Sequence, residues 1–235
     1  MMKGEDMSIM NIIGVLNKEH ECVSKSYLSL RRWIGILGIL LPLINILGGW
    51  FISRIPVQST ISSYYYTNMR DFFVGILCVV SLFLITYDGY NRFDQLITSV
   101  AGVFGLGVAI IPCRSEQFPM PEVGLLRLSM PLSDTLHLIC AVAFFTLLAI
   151  ISIFLFTMTG QEKQITKQKR WRNIIYVICG VTMLLSLLGA VLCLQFMPKE
   201  MIDKYRVILV FETLALFSFG ISWLIKGETL IKDRV

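Results

Sequence analysis

The sequence predicts an all-α membrane protein, a single polytopic bundle of six transmembrane helices with both termini on the cytoplasmic side. The chain has 235 residues, of which 55% are hydrophobic and only 16% are charged. Soluble domains carry about 25% charged residues, so this composition is typical of a membrane protein. Six apolar runs approach or reach the length that crosses a hydrocarbon core of about 30 Å.

The six predicted spans occupy most of the chain. They cover residues 34–52, 72–87, 96–111, 136–156, 174–196 and 207–225. The second and third are short, and we expect them to extend into their polar flanks. The short connections leave no room for a separate soluble catalytic or sensory domain, and no cleavable signal peptide is expected.

The predicted organisation has three parts: a cytoplasmic arm at 1–33, a transmembrane domain at 34–228 and a cytoplasmic tail at 229–235. Within the arm, apolar residues recur at helical spacing over 7–16. This pattern fits either an interfacial amphipathic helix or an ordinary packing helix.

The distribution of positive charge predicts the orientation. With the N-terminus inside, 14 of the 21 Lys and Arg residues fall in cytoplasmic segments and 7 fall outside. This bias follows the positive-inside rule. The basic loop at 163–172 is accordingly interpreted as a topology signal, and no nucleic-acid partner is expected.

Helix-breaking and small residues predict local features of the bundle. Pro42 is expected to interrupt the first span, and Asn45 then bonds a freed carbonyl or joins a polar cluster. The glycines of 102–107 predict close packing of the third span in the bundle centre, and this span is also a candidate for a homo-oligomer interface. The prolines between 112 and 131 predict a structured loop without regular helix.

The predicted topology gathers ionisable residues on the outer side of the membrane. Asp71 begins the second span, Asp134 and His137 begin the fourth, and Glu212 lies five residues inside the sixth. Ionisable groups at membrane depth cost several kcal/mol and often mark functional sites. The inner half of the bundle is expected to carry almost no embedded charge. The other polar residues at the outer level are Asn45, Ser62, Ser63, Tyr64, Tyr65, Tyr66, Arg70 and Gln195.

One interpretation of this cluster is an outward-facing pocket that binds a lipid headgroup or small molecule, with membrane lipids as partners. Arg70 would hold an anionic group, and Glu212 would shape the polar floor. The residues predicted to bind the ligand are Arg70, Asp71, Glu212, Asn45 and Tyr65. Asp71 and Asp134 also have a simpler explanation, because acidic residues stabilise helix N-termini.

A second interpretation is an intramembrane hydrolase or transferase that acts on lipid. Asp134 and His137 are spaced i, i+3, which places them on one helix face and lets the carboxylate orient the imidazole. Ser62 or Ser63 would be the nucleophile and His137 the base. The sequence leaves open whether the chain is an enzyme.

Other site chemistries are less favoured. A metal site is not expected, because one histidine lies in the membrane and catalytic zinc typically takes three protein ligands; no cofactor is expected either. A pore-forming effector and a proton-coupled transporter are further alternatives. Cys113 and Cys193 fall near the outer helix ends, where a disulfide is an option, but unpaired cysteines that act as small apolar residues are favoured.

One segment also resembles a known group of proteins. Residues 59–75, STISSYYYTNMRDFFVG, resemble the SIS-x-YY-x-T-x-MRD-x-FVG segment of bacterial six-span membrane proteins of unknown function. Segments 92–112 and 211–228 are similar to the same proteins, so the resemblance covers most of the chain from about residue 34. The chain also resembles the FRAG/DRAM/SFK and related families of unknown function, which are similar six-helix membrane proteins.

The resemblance implies a six-helix fold in the bacterial inner membrane and is nearly silent on activity. A more distant similarity links the chain to membrane hydrolases of the ceramidase and progestin-receptor group, which use several histidines around zinc. Their late-helix histidine pair is missing from this sequence. Zinc-dependent amide hydrolysis therefore does not carry over.

Overall fold

A computed structural model describes residues 25–89, 91–115, 120–158 and 166–229. The predicted helix at 7–16 and nearly all of the predicted tail lie outside these residues. The described part of the chain is mostly helical. Its helices are α1 (Lys25–Phe51), α2 (Arg70–Ile85), α3 (Arg92–Ile110), α4 (Met130–Leu155), α5 (Lys167–Phe196), α6 (Lys199–Tyr205) and α7 (Val207–Lys226).

Five of the described helices are long and apolar enough to span a membrane, namely α1, α3, α4, α5 and α7. Helix α2 is as apolar as these, but it has only 16 residues. It therefore rises about 24 Å, which is less than the hydrocarbon core of about 30 Å. Each of the six predicted apolar runs overlaps one of these six helices.

Five of these six helices begin earlier than the apolar runs predict, and α7 begins at the predicted residue. Helix α4 starts at Met130, because Pro131 stands in the first turn, where its missing N–H is not needed. The predicted proline loop is therefore shorter, and it contains an antiparallel hairpin of β1 (Glu122–Val123) and β2 (Leu128–Ser129). Helix α1 includes residues 25–33, so this part of the predicted arm is helical.

Helix α1 is irregular just after Pro42. Residues Ile44–Gly48 form a π-helical turn, a common result when the regular hydrogen-bond ladder is disrupted. The buried Asn45 donates its Nδ2–H to the carbonyl of Leu41 at 2.7 Å. Of the two predicted roles of Asn45, the bond to a helix carbonyl is the one observed.

Glycine brings α1 and α7 into close approach. Gly35 of α1 faces Gly220 of α7, and a methyl group added to either would lie 2.7 Å from the carbonyl oxygen of the other. No real side chain tolerates that distance without a shift of backbone. The two helices therefore pack at a separation that only glycine allows.

Helix α3 packs between α2 and α4. A methyl group at Gly102 would lie 2.5 Å from the Ser81 carbonyl oxygen of α2, and one at Gly107 would lie 2.6 Å from the Cys140 sulfur of α4. The predicted close packing of this span is therefore observed. However, Val103 is 59% exposed, so one face of α3 is not enclosed by the bundle.

The two ends of the bundle differ in what they bury. We call the end at which α2, α4 and α7 begin the hairpin end, and the end at which α1, α3 and α5 begin the arm end. At the arm end, Asp94, Arg172 and Lys226 are each at most 4% exposed. The prediction that this half carries almost no embedded charge is wrong. These residues flank apolar runs, where a hydropathy pattern places loops.

Candidate functional site

A cavity of about 570 Å³ lies at the hairpin end, between α4, α5, α7 and the segment 58–67. We call it the polar cavity. Because its walls come from segments far apart in the sequence, the fold creates it. The lining residues are Gln58, Ser59, Thr60, Ser62, Ser63, Tyr66, Thr67, Cys113, Arg114, Ser115, Asp134, His137, Leu138, Ala141, Leu194, Lys199, Asp203, Arg206, Ile208 and Glu212.

The fold brings part of the predicted cluster into this cavity. Ser62, Ser63, Asp134, His137 and Glu212 all line it. They come from the segment before α2, the first turns of α4 and the second turn of α7. The predicted convergence of these groups on one end of the bundle is therefore present.

Four of the five residues predicted to bind the ligand do not line the cavity. Arg70 is exposed at the start of α2, where its Nη2 donates to Tyr65 Oη at 2.8 Å and its Cζ lies 4.4 Å from the Tyr65 ring centroid. Asp71 is exposed in the same first turn, a position that the helix dipole favours for an acid. Asn45 is buried inside α1. The predicted roles of these four residues in ligand binding find no support in their positions.

His137 connects two segments that meet at the cavity wall. Its side chain is buried, with Nδ1 2.6 Å from the Ile111 carbonyl oxygen and Nε2 3.0 Å from Ser62 Oγ. A carbonyl oxygen only accepts, so Nδ1 carries the proton of the neutral ring. Nε2 then accepts a hydrogen bond from the Ser62 hydroxyl group.

Asp134 has a different position from the one its spacing predicts. Its Oδ1 accepts a hydrogen bond from the backbone N–H of Arg114 at 2.7 Å. The group bonded to His137 Nδ1 is therefore the Ile111 carbonyl, and not the Asp134 carboxylate that the sequence predicts in this position. The i, i+3 spacing does place both side chains on one face, but the carboxylate binds the turn that follows α3.

Two further bonds hold that turn. Ser133 Oγ donates to the Pro112 carbonyl at 2.7 Å, and Tyr66 Oη donates to the Cys113 carbonyl at 2.7 Å. The turn is thus fixed to α4 on one side and to the segment that carries Ser62 on the other. These bonds determine where the Ile111 carbonyl points.

The two predicted serines have different partners. Ser63 Oγ lies 2.6 Å from Thr60 Oγ1, and its backbone N–H donates to the same oxygen at 2.9 Å. Ser62 begins a short 3₁₀ helix (Ser62–Tyr66) and contacts His137. Only Ser62 is therefore paired with the imidazole.

Glu212 attaches the serine segment to α7. Its Oε2 accepts a hydrogen bond from the backbone N–H of Ile61. Leu209 N donates to the Ser59 carbonyl at 3.1 Å, which provides a partner for an N–H group at the start of a helix. The sequence predicts an embedded carboxylate at Glu212, and the partner of this carboxylate is a backbone N–H group.

The cavity is lined by charges of both signs. The cations are Arg114, Lys199 and Arg206, and the carboxylates are Asp134, Asp203 and Glu212. The sequence pattern does not predict Arg114, Lys199, Asp203 or Arg206 as site residues. A signal was available for two of them, since Lys199 and Asp203 follow Pro198 at i, i+4 spacing, which places them on one face of a helix.

The Cys113 thiol lies beside the serine segment. Burial, followed by the carboxylates of Glu212 and Asp134, raises the pKa of this thiol to about 12. The thiol is therefore protonated at neutral pH. Cys113 and Cys193 are both free, so the favoured interpretation that these two cysteines are unpaired is confirmed.

Comparisons with known proteins identify no relative. No protein-family model matches the chain, and neither a curated protein nor a solved structure does. Within the described ranges, no group of three or more His, Cys, Asp or Glu residues is placed to hold a metal ion.

Proposed function

We propose that the chain is a six-span protein of the bacterial inner membrane, with both termini in the cytoplasm, and that its polar cavity binds the headgroup of a membrane lipid on the outer side. Helix α2, together with the 3₁₀ helix that precedes it, would supply the sixth crossing. The six apolar runs of the sequence, each of which overlaps a described helix, support this number. The positive-inside bias of 14 against 7 residues supports the orientation.

The lining of the cavity carries the proposal, because it is both charged and apolar. A lipid presents the same combination, with a charged headgroup next to hydrocarbon. The volume of about 570 Å³ also falls within the range of about 300–1,000 Å³ that ligand pockets occupy. The cationic lining residues are Arg114, Lys199 and Arg206, and the apolar ones include Leu138, Ala141 and Leu194.

The position of the cavity between α4 and α5 favours a ligand that comes from the bilayer. The two helices pack tightly toward the arm end, where a methyl group at Gly180 would lie 2.3 Å from Ile153 Cγ1. At the hairpin end the cavity lies between Leu138 of α4 and Leu194 of α5. These two leucines are 52% and 55% exposed. They would therefore face lipid at the side of the cavity.

An apolar groove next to the cavity would accommodate an acyl chain. It has a volume of about 650 Å³ and lies between α3 and α4. Leu138 lines both the groove and the polar cavity, so a single lipid would place its headgroup and its chain on either side of this residue. The groove is lined by Val100, Phe104, Leu138, Ile139, Val142, Ala143, Thr146 and Leu147.

A pair of arginine substitutions tests the proposal. Arg206 and Arg54 both have a left-handed backbone, with φ of 51° and 52°, but only Arg206 lines the cavity. We expect Arg206→Gln to weaken the binding of phosphatidylglycerol by about 10- to 100-fold, because a hydrogen bond to a charged group contributes about 1.5–3 kcal/mol. Arg54→Gln should leave the affinity unchanged.

Titration of the purified chain in detergent, read by native mass spectrometry, gives both affinities. A photoactivatable phosphatidylglycerol should in addition crosslink to α4 or α5 residues of the cavity wall. Equal affinities of the two variants, or crosslinks that all lie outside the cavity and the groove, would contradict the proposal.

A further inference from the structure

We propose that Ser62 and His137 form a catalytic pair that acts on a carboxylic ester of a lipid bound in the polar cavity. The inference rests on the proposed lipid-binding function and adds a reaction to it. Three features carry it: the contact between the two side chains, the group that orients the imidazole, and the cavity in front of the serine.

The contact satisfies the geometry of an activated nucleophile. A serine hydroxyl is activated when an adjacent base accepts its proton over about 2.6–3.2 Å. Ser62 Oγ and His137 Nε2 are 3.0 Å apart. The Ile111 carbonyl holds Nδ1 at 2.6 Å, so the proton of the neutral ring stays on Nδ1. This is the orienting task that a third residue performs in catalytic triads.

The segment that carries Ser62 is fixed on both sides. Glu212 binds the N–H of Ile61 immediately before Ser62, and Tyr66 binds the Cys113 carbonyl four residues after it. Catalytic groups need positions accurate to about 0.5 Å, which such supporting bonds provide. A serine that served only to satisfy a buried histidine would not need to line a cavity, as Ser62 does.

The neighbouring nucleophiles are less suited to the reaction. The pKa of Cys113 is raised to about 12 by burial and by two carboxylates, so this group stays a thiol at neutral pH. Ser63 Oγ is hydrogen-bonded to Thr60, whereas the two ring nitrogens of His137 bind Ile111 and Ser62. Ser62 is therefore the nucleophile that the geometry selects.

The reaction has two steps, acylation of Ser62 and hydrolysis of the acyl-serine. Ser62 Oγ forms a bond to the ester carbonyl carbon while its proton passes to His137 Nε2. Collapse of the tetrahedral intermediate breaks the ester C–O bond, and the alcohol leaves with the proton from Nε2. Water then attacks the acyl-Ser62 ester, gives a proton to Nε2, and releases a fatty acid as that proton returns to Ser62. The hydroxyl of a second lipid would replace water in an acyl transfer.

The charges near Ser62 favour a neutral ester over an anionic phosphodiester as the reacting group. The carboxylates of Glu212 and Asp134 both line the cavity close to this pair, since Glu212 binds the N–H of Ile61 and Asp134 lies three residues before His137 in α4. They would repel a phosphate group at this position. A carbonyl group carries no net charge and avoids that repulsion.

A serine-directed fluorophosphonate probe tests the pair. The full chain is reconstituted in phosphatidylglycerol nanodiscs, and mass spectrometry locates the adduct. We expect an adduct on Ser62, its loss in Ser62→Ala, and labelling about 10²- to 10⁴-fold slower in His137→Gln. The control is Ser218→Ala. The Ser218 hydroxyl is bonded to the Leu214 carbonyl within α7 at 2.9 Å, and labelling should be unchanged. Wild-type chain should also release fatty acid from the lipid.

The outcomes separate the inference from the proposed function. Size-exclusion profiles and thermal transitions establish that each variant is folded. A folded wild-type chain that binds phosphatidylglycerol but forms no adduct on Ser62 would overturn the catalytic inference and leave the binding proposal intact. Equal labelling rates of wild type and His137→Gln would overturn it as well. Absence of lipid binding in the wild type would instead overturn the binding proposal.

Discussion

Glu212 Oε2 accepts a hydrogen bond from the backbone N–H of Ile61, and this bond ties α7 to the residue that precedes Ser62. Glu212 lies among apolar residues of its helix, where a polar group is costly unless it has a partner. The bond provides that partner and at the same time fixes the serine segment. The Glu212 carboxylate therefore binds a backbone group of the serine segment.

Replacing Glu212 tests the strength of this connection. We expect Glu212→Ala to lower the free energy of unfolding by about 1–3 kcal/mol, because it leaves the Ile61 N–H without an acceptor. Glu212→Gln retains an acceptor oxygen and should lose less than about 1 kcal/mol. Thermal unfolding in detergent measures both. Glu200→Ala, on an exposed site of α6, should stay within about 0.5 kcal/mol. Equal losses in the Ala and Gln variants would contradict the expected role of the hydrogen bond.

Asp134→Asn tests which group orients His137. Because Asp134 Oδ1 accepts from the Arg114 N–H, the asparagine oxygen preserves the bond. We expect the labelling rate of Ser62 to fall by less than about tenfold, whereas loss of an orienting carboxylate in a triad costs about 10⁴-fold. A time course with the fluorophosphonate probe gives the rate. A decrease of about 10³-fold or more would show that the carboxylate acts directly on the imidazole.

The sequence predicts the helices because hydropathy and positive charge are properties of the chain along one dimension. All six apolar runs overlap a helix. The direction in which a side chain points depends on tertiary packing, so these one-dimensional patterns do not predict it. Arg70 lies at the start of α2, close in sequence to Ser62, yet its guanidinium contacts Tyr65 and does not line the cavity.

Two parts of the site have little or no signature in the sequence. The Ile111 carbonyl orients His137, and every residue has a carbonyl, so a side-chain pattern selects Asp134 instead. Helix α6 is short and polar, so a hydropathy pattern treats it as a loop. It nevertheless brings Lys199 and Asp203 into the cavity. Both features depend on tertiary contacts.

The raised pKa of Cys113 predicts slow alkylation. An ordinary cysteine has a pKa of about 8.5 and is half thiolate at that pH, whereas Cys113 has a pKa of about 12. At pH 8.5 we expect iodoacetamide to modify Cys113 at least about 100-fold more slowly than in the unfolded chain. Below pH 11 the rate should rise about tenfold per pH unit, as the thiolate fraction does. Peptide mass spectrometry follows this residue alone. A rate that levels off near pH 9 would contradict the raised pKa.

Glycine substitutions test the contact between α1 and α7. A methyl group at Gly35 would lie 2.7 Å from the Gly220 carbonyl oxygen, whereas one at Gly75 of α2 would meet nothing within 4 Å. We expect Gly35→Ala to destabilise the chain by about 1–3 kcal/mol, the usual cost of overpacking. Gly75→Ala should be neutral or stabilising by up to about 1 kcal/mol, because alanine is the better helix former. Thermal unfolding compares the two. Similar stabilities would show that the helices separate at little cost.

The buried charges of the arm end predict a coupling between Asp94 and Lys226. Both residues are 2% exposed and line one small cavity. Arg31, Lys169 and Arg172 repel the ammonium group there, whereas Asp94 attracts it. Asp94→Asn should therefore cost about 3–5 kcal/mol, because it leaves buried cations without this carboxylate. Adding Lys226→Met removes the buried ammonium group. We expect the double variant to regain about half or more of the lost free energy of unfolding. A double-mutant cycle of unfolding free energies should give a coupling above about 1 kcal/mol. Strictly additive losses would mean that the two groups do not stabilise each other. The Asp94 carboxylate would then stabilise only the N-terminus of α3.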